Sequence, residues 1–230
     1  MNKCSILMIA VCLFPFESNA HWYAGINLGV NAVNVKKDLV YPLEDPSPTS
    51  SSFNSTYTNF HGQLLAGYDF FLSNKLSAAI EGNADVFTGK AQHNINNWFL
   101  TNSAYAQEQL EYGAAIFLLP SYQINQATRL FIGPGVASSR FVISSGSTAG
   151  NVGVSGSFNQ WLTGGAVKAG VATKLTNNTE LLLSYQFTQY NSVTWMGIEP
   201  LSDESLSGHY QPNANTFMIG IRANVPEFIK

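Results

Sequence analysis

Charge is scarce in this chain, with 11 Lys and Arg and 14 Asp and Glu among 230 residues, so the placing of each ionisable side chain is informative. Glu81, Glu111, Lys168 and Arg222 each fall on the small, polar side of a segment whose alternate residues are apolar. Acids and bases confined away from water are costly unless they pair. These four are therefore expected to form ion pairs in an enclosed interior, with Asp69 and Asp85 as further members of a polar plug. The same side chains could instead line a narrow, selective pore. An interior just wide enough for side chains to fill favours the plug.

Other chemistries find little support. Two residues after His21, His61, His93 and His209 stand Tyr23, Gln63, Ile95 and Gln211, so none of the four histidines opens a His-x-Ser pair. Ser207-Gly208-His209 is a local run, and proximity in sequence does not make a nucleophile and its base. The histidines lack metal-ligand spacing. His21 at a new N-terminus would offer copper an amine and a ring, but reads better as an ordinary cleavage point. Both cysteines, Cys4 and Cys12, lie within the first twenty residues, which leaves no disulfide framework or thiolate metal site beyond them. The expectation is a non-enzymatic protein with no cofactor and no metal. A net charge of −3 supplies no basic footprint for nucleic acid.

The elements that must position the charges are strands. Residues 160–190 read in steps of two: Trp161, Thr163, Gly165, Val167, Ala169 and Val171 share one face, and Gly164, Ala166, Lys168, Gly170 and Ala172 the other. After the turn 176–178, Leu181, Leu183, Tyr185 and Phe187 alternate with Leu182, Ser184, Gln186 and Thr188. Period-two alternation around an Asn-rich turn predicts a β-hairpin. Its second face is Gly-rich and nearly uncharged, which suits a confined interior better than bulk water.

Further strands are predicted at 22–33, 59–71, 76–88, 108–124, 129–143 and 215–225. The phase of the fifth is ambiguous, because Phe131 and Phe141 share a parity with Gly133 and Gly135 while Ile132 and Val136 share the other. Turns at 72–75, 125–128 and 176–178 are short. The stretches 34–58, 89–107, 144–159 and 191–213 are polar and read as long loops. Eight strands with connections alternating long and short are the arrangement of an outer-membrane barrel. Trp22, Phe60, Phe70, Tyr122, Trp161 and Phe187 sit near strand ends, as interfacial girdles require. Charged residues are 11% of the chain against roughly 25% in soluble domains. A soluble up-and-down barrel would turn the apolar face inward and show water a face with too little charge. The fold expected is all-β, an eight-stranded antiparallel up-and-down transmembrane β-barrel.

The N-terminus carries Lys3, an apolar run from Ile6 to Phe14, and Ser18-Asn19-Ala20. That is the grammar of a secretory signal peptide over 1–20, with the barrel domain occupying 21–230. The apolar run is far shorter than the ~20 residues a spanning helix needs.

The WYAGINLGVN start, the LLPSYQIN approach to a turn and the final FMIGIRANV resemble the OmpA-like, opacity-type family of eight-stranded outer-membrane barrels. The resemblance covers essentially all of the mature chain and rests on patterns, with no catalytic signature. It implies the outer membrane of a Gram-negative bacterium. The partners it implies are outer-membrane lipid and lipopolysaccharide, the assembly machinery, and host-cell surface molecules for adhesin-like members. Two features depart from the family pattern. Ser184 and Gln186 stand where an acidic and a basic residue are frequent, and Pro226 to Lys230 follow Val225 where members usually end on an aromatic residue. Function then falls to the loops, adhesin-like or envelope-structural. Tyr41, Trp98, Phe99, Trp195 and Tyr210 are the recognition candidates, with Phe53, Tyr57 and Tyr105 beside them. The alternative is a small passive, porin-like channel.

Overall fold

The computed structural model describes residues 20–41, 49–95, 104–147, 156–198 and 205–225. The expected signal peptide lies outside them, apart from Ala20. Ten strands are present among the described residues: β1 (His21–Tyr41), β2 (Thr49–Phe71), β3 (Leu76–Phe87), β4 (Ala91–Ile95), β5 (Ala104–Gln123), β6 (Thr128–Ser147), β7 (Gly156–Lys174), β8 (Thr179–Tyr190), β9 (Val193–Ile198) and β10 (Ser205–Asn224). β4 continues the line of β3 against β5, and β9 continues that of β8 against β10. The result is eight antiparallel staves. β1 closes the circle on β10 in unbroken register from Tyr23↔Asn224 to Val40↔Ser207.

Short polar turns join the staves at one end. Asn125 Oδ1 accepts the backbone N–H groups of Ala127 and Thr128 at 2.8 Å each, an Asx turn in which the side chain stands in for backbone. Ser73 Oγ accepts from Leu76 N at 3.1 Å in the corresponding place after β2.

At the other end the strands run on past the expected boundaries. β1 spans 21 residues and β2 spans 23, where a tilted strand needs about 9–11 to cross a bilayer. Much of the predicted loop 34–58 is paired hairpin, and 89–107 and 191–213 contain β4 and β9. The surplus length lifts a β rim roughly 25 Å beyond the hydrocarbon, at about 3.3 Å per residue and a 40° tilt.

Polarity changes sides along the barrel. The outward residues of β1 are Trp22, Ile26, Leu28 and Val30, each about half exposed or more, followed by Asn34 and Lys36. On β2 the outward Phe60 and Leu64 give way to Thr58, Thr56, Asn54 and Ser52. Inside, the exchange runs the other way. Asn27 and Asn31 face inward at the level of the apolar belt, and Val33 and Val35 face inward above it. The rim thus has its own dry core, in which Val33, Val35, Phe87, Leu110, Phe141 and Tyr210 pack together. A barrel built for lipid carries a barrel built for water on top of it.

Candidate functional site: a filled lumen and its rim

The interior at belt level is a column of paired charges. At the short-turn end, the Arg129 guanidinium donates to both Asp69 oxygens at 3.3 and 3.2 Å and to Glu180 Oε2 at 2.9 Å. Arg222 donates from Nε to the same Glu180 oxygen at 2.7 Å and from Nη2 to Asp69 Oδ2 at 2.9 Å. Two guanidinium forks therefore share two carboxylates, an arrangement suited to the planar geometry of arginine. Arg222 also lies 4.0 Å over the ring of Tyr23.

Tyr23 links this square to the next layer by donating its hydroxyl to Glu81 Oε2 at 3.0 Å. Its ring lies across Gly67, where an added Cβ would sit 2.4 Å from ring atoms. Glycine at that position is what lets the phenol cross the lumen. Lys168 Nζ meets Glu81 Oε1 at 2.7 Å and donates to Gln63 Oε1 at 3.2 Å. Gln63 passes the chain on to Asp85 Oδ1 at 2.8 Å, and His61 Nε2 contacts the same oxygen at 2.9 Å.

The remaining space is small. The void among Asp69, Glu81, Arg129, Lys168 and Arg222 measures about 10 Å³, at most the room of one water. Leu65, Phe117, Leu119 and Leu182 pack beside the charges, and the dry core of the rim lies above them.

Within that rim core, Lys37 Nζ pairs with Glu108 Oε1, both side chains 3% exposed or less, and Ser55 Oγ donates to Glu108 Oε2 at 3.3 Å. Burial pushes the Lys37 ammonium below the ordinary lysine range, and the Glu108 carboxylate pulls it back up.

Glu81, Lys168 and Arg222 point into the lumen, as do Asp69 and Asp85. Glu111 does not. Between Leu110 and Gly113 the β5–β6 register shifts, so that Glu111 and Tyr112 together oppose Arg140. This β-bulge turns the alternation of β5 over. Glu111 emerges at the outer surface, 3.3 Å from Arg140, whose Nη1 donates to the Tyr112 hydroxyl at 3.0 Å. The same shift sends Leu110 and Glu108 inward, against the parity expected of them.

Arg129 and Glu180 join the column from strand ends that lie outside the expected lumen set. Each is the second residue of its strand, and Glu180 shares the even parity of Leu182 and Ser184. Extending the alternation of β8 by one step toward the turn finds it.

The rim aromatics are also redistributed. Tyr210 is 5% exposed within the rim core, Tyr57 is buried there, and Trp195 packs against the same cluster, so none of the three is a free loop side chain. The Tyr57 hydroxyl accepts the Leu110 N–H at 3.0 Å. Tyr41 is the last residue of β1, and Phe53 and Tyr105 are paired in β2 and β5. Trp98 and Phe99 lie outside the described residues.

A closed antiparallel barrel with an apolar outer belt, a charge-paired interior and short turns at one end defines a transmembrane barrel of the bacterial outer membrane. The chain belongs to the family described as outer membrane protein beta-barrel domain, whose model matches residues 5–224. Its place is the outer membrane of a Gram-negative bacterium.

Among solved structures, the chain is similar to a major outer membrane protein from Thermus thermophilus, at 12% identity and a TM-score of 0.52, over 84% of this chain and 99% of that one. Neisserial surface protein A is 13% identical over 86% of this chain and 97% of its own, with a TM-score of 0.43. Ail, the attachment invasion locus protein of Yersinia pestis, in complex with the heparin analogue sucrose octasulfate, is 13% identical over 89% of this chain and 99% of its own, with a TM-score of 0.41. No curated protein matches the chain in sequence.

Proposed function

We propose that this protein is a non-enzymatic, closed outer-membrane barrel that presents its β rim and connecting segments as a binding surface for host-cell surface molecules. The observation that carries this reading is the extent of paired strand beyond the hydrocarbon, 21 and 23 residues in β1 and β2. A rigid scaffold is what loops need in order to bind, and this one lifts them clear of the membrane surface. The charged groups of the lumen pair with one another beneath the rim core, which supports a non-enzymatic role. An envelope-structural role shares the same scaffold without the partner. Residues 1–20 act as a signal peptide in this reading, and the barrel folds through the outer-membrane assembly machinery.

A passive channel is the second reading, favoured by the polar column from Arg129 to His61. The rim core above it, with Phe141 and Leu110 fully buried, opposes it. Planar-bilayer recording separates the two, since a filled lumen stays closed at moderate voltage and a channel gives regular unitary steps.

The test of the first reading is attachment to host cells by a non-adherent Gram-negative strain expressing the protein. A variant shortened across 42–48, 96–103, 148–155 and 199–204 runs beside it, with heat-modifiable gel mobility reporting that both barrels fold. Adhesion by the full-length protein alone is the expected result. Equal attachment by both, or by neither, overturns it.

A further inference from the structure

Above the membrane belt the wall of the barrel parts along two lines. β2 pairs with β3 only as far as His61↔Phe87, and β7 with β8 only as far as Gly164↔Tyr190. Beyond those points β4 pairs with β5 alone and β9 with β10 alone. The rim is therefore two four-stranded sheets, β2-β1-β10-β9 and β4-β5-β6-β7. Each sheet ends in two strands that have one side unpaired among the described residues. The longest such side belongs to β2, where Thr49 to Thr58 pair with β1 only. At the rise of an extended strand it runs for roughly 33 Å.

The parity of the open side can be read from the last bond below it, where the Phe60 carbonyl accepts the Thr88 N–H at 3.2 Å. In an antiparallel strand the N–H and C=O of one residue turn to the same neighbour, and those of the next residue to the opposite one. The β1–β2 register is unbroken, so Thr58, Thr56, Asn54 and Ser52 turn their backbone groups to the open side, and Tyr57 and Ser55 turn theirs to β1. Unpaired edges are ordinarily guarded by Lys, Pro or an inward charge. The four edge segments here, 49–58, 91–95, 156–163 and 193–198, hold no Lys, Arg, Asp, Glu or Pro. The charges of the rim stand on the strands between them, with Lys36, Lys37 and Asp38 on β1, Glu108 on β5 and Arg140 on β6. At the foot of the open side Asn59 is 7% exposed, and neither amide atom of its side chain has a hydrogen-bond partner among the described residues.

We propose that the open side of β2 takes up an extended, uncharged segment of a partner protein as an added antiparallel strand. The inference rests on the reading of the rim as a binding surface and names the chemistry of what it binds. Backbone groups at 52, 54, 56 and 58 supply the hydrogen bonds, which are indifferent to the partner's side chains. The exposed side chains of those residues are small and neutral, and leave the edge accessible. The Asn59 amide gives the foot of the added strand a polar group to meet. A second copy in the same membrane stands the same way up. Its own β2 would reach this edge in parallel, with a whole barrel behind it, and a free segment meets no such limit.

The probe is a capped, fluorescent peptide alternating threonine with valine, added to the full-length protein folded in phosphatidylcholine nanodiscs. Anisotropy reads binding, and amide exchange followed by NMR reads its place. The amides of Ser52, Asn54, Thr56 and Thr58 are expected to exchange freely in the protein alone and to slow several-fold with the peptide. Those of Ser55 and Tyr57 are expected to be protected throughout. The same peptide N-methylated at every residue should move neither readout. Asn54→Pro removes one donor from the open side and leaves the β1 ladder whole. It should weaken binding about tenfold. Asn54→Lys keeps the donor but adds a guarding charge, and should weaken binding as well, with heat-modifiable gel mobility showing that each barrel folds. No binding, binding of equal strength by the parent and both variants, or binding of the N-methylated peptide overturns the added strand. Amides at 52–58 that are protected in nanodiscs holding several copies and free in those holding one assign the edge to a second copy and overturn it equally. Host-cell attachment separates this inference from the reading beneath it. Asn54→Pro attaching as the parent does, where the variant with shortened connections fails, overturns the added strand and leaves the rim its binding role. A parent that does not attach overturns that role, and the peptide result then decides the edge alone.

Discussion

Lys168 on β7 and Glu81 on β3 meet at 2.7 Å across the lumen, each side chain 4% exposed or less. They stand 87 residues apart in the chain, and only closure of the barrel brings them together. The pair sits between the arginine square below and the Gln63–Asp85–His61 branch above. It is the joint through which the column is continuous.

Lys168→Ala leaves the Glu81 carboxylate buried without a cation, held by the Tyr23 hydroxyl and the Asn83 amide. Breaking a buried pair from one side costs about 3–5 kcal/mol. The temperature at which the folded gel band converts to the unfolded one should fall accordingly. Adding Glu81→Leu to Lys168→Ala removes the orphan charge and should recover part of the loss. An unchanged conversion temperature in the single variant would show that the pair contributes nothing.

Gly67→Ala should act at a distance through Tyr23. The added methyl meets the Tyr23 ring at 2.4 Å, so the ring must move and its hydrogen bond to Glu81 lengthens or breaks. Overpacking of this kind costs about 1–3 kcal/mol. A Tyr23→Leu background should remove the ring's share of that cost and leave the share due to the Ile80 carbonyl oxygen, 2.7 Å from the added methyl, so the difference between the two backgrounds tests the ring contact.

Lys37 gives the rim a pH dependence. Its folded pKa lies below the ordinary lysine range, so between those two values the unfolded rim holds more protons than the folded one. Stability of the rim should therefore rise as pH climbs through that window, and should fall back toward neutrality. Protease cleavage of the rim hairpins, compared between pH ~7.5 and an alkaline buffer, reports it. Lys37→Met should flatten this dependence, while lowering resistance at neutral pH by stranding Glu108. A slope of the same size in the variant would assign the effect to another group.

Tyr210 and Trp98 should separate stability from recognition. Tyr210→Ala opens a cavity in the rim core, at a cost of about 3 kcal/mol, and should expose the hairpins to protease. Trp98→Ala should leave protease resistance unchanged and reduce attachment if the rim recognises host surfaces. Attachment lost only together with protease resistance would mean that the aromatic side chains serve the fold.

The sequence by itself determined the staves, their number and order, and the outward belt, because the alternation of apolar residues is a local property of each strand. It also determined that Glu81, Lys168, Arg222, Asp69 and Asp85 face inward, since parity within a strand needs no partner. It did not determine where the strands end. At Ala32 and Val33 the apolar residues change parity, and a change of phase looks like the end of a strand when it is in fact the exchange of lipid for water around a continuous one. The inward side of β5 follows the alternation from Tyr112 onward, but before that it was equally out of reach, because a bulge between Leu110 and Gly113 depends on what β6 places opposite. Glu111 faces outward to Arg140 and Glu108 inward to Lys37 for that one reason. Closure decided the rest. Which acid meets which base, and that β2 and β7 each lose a neighbour above the belt, are relations between strands, set by register around the barrel.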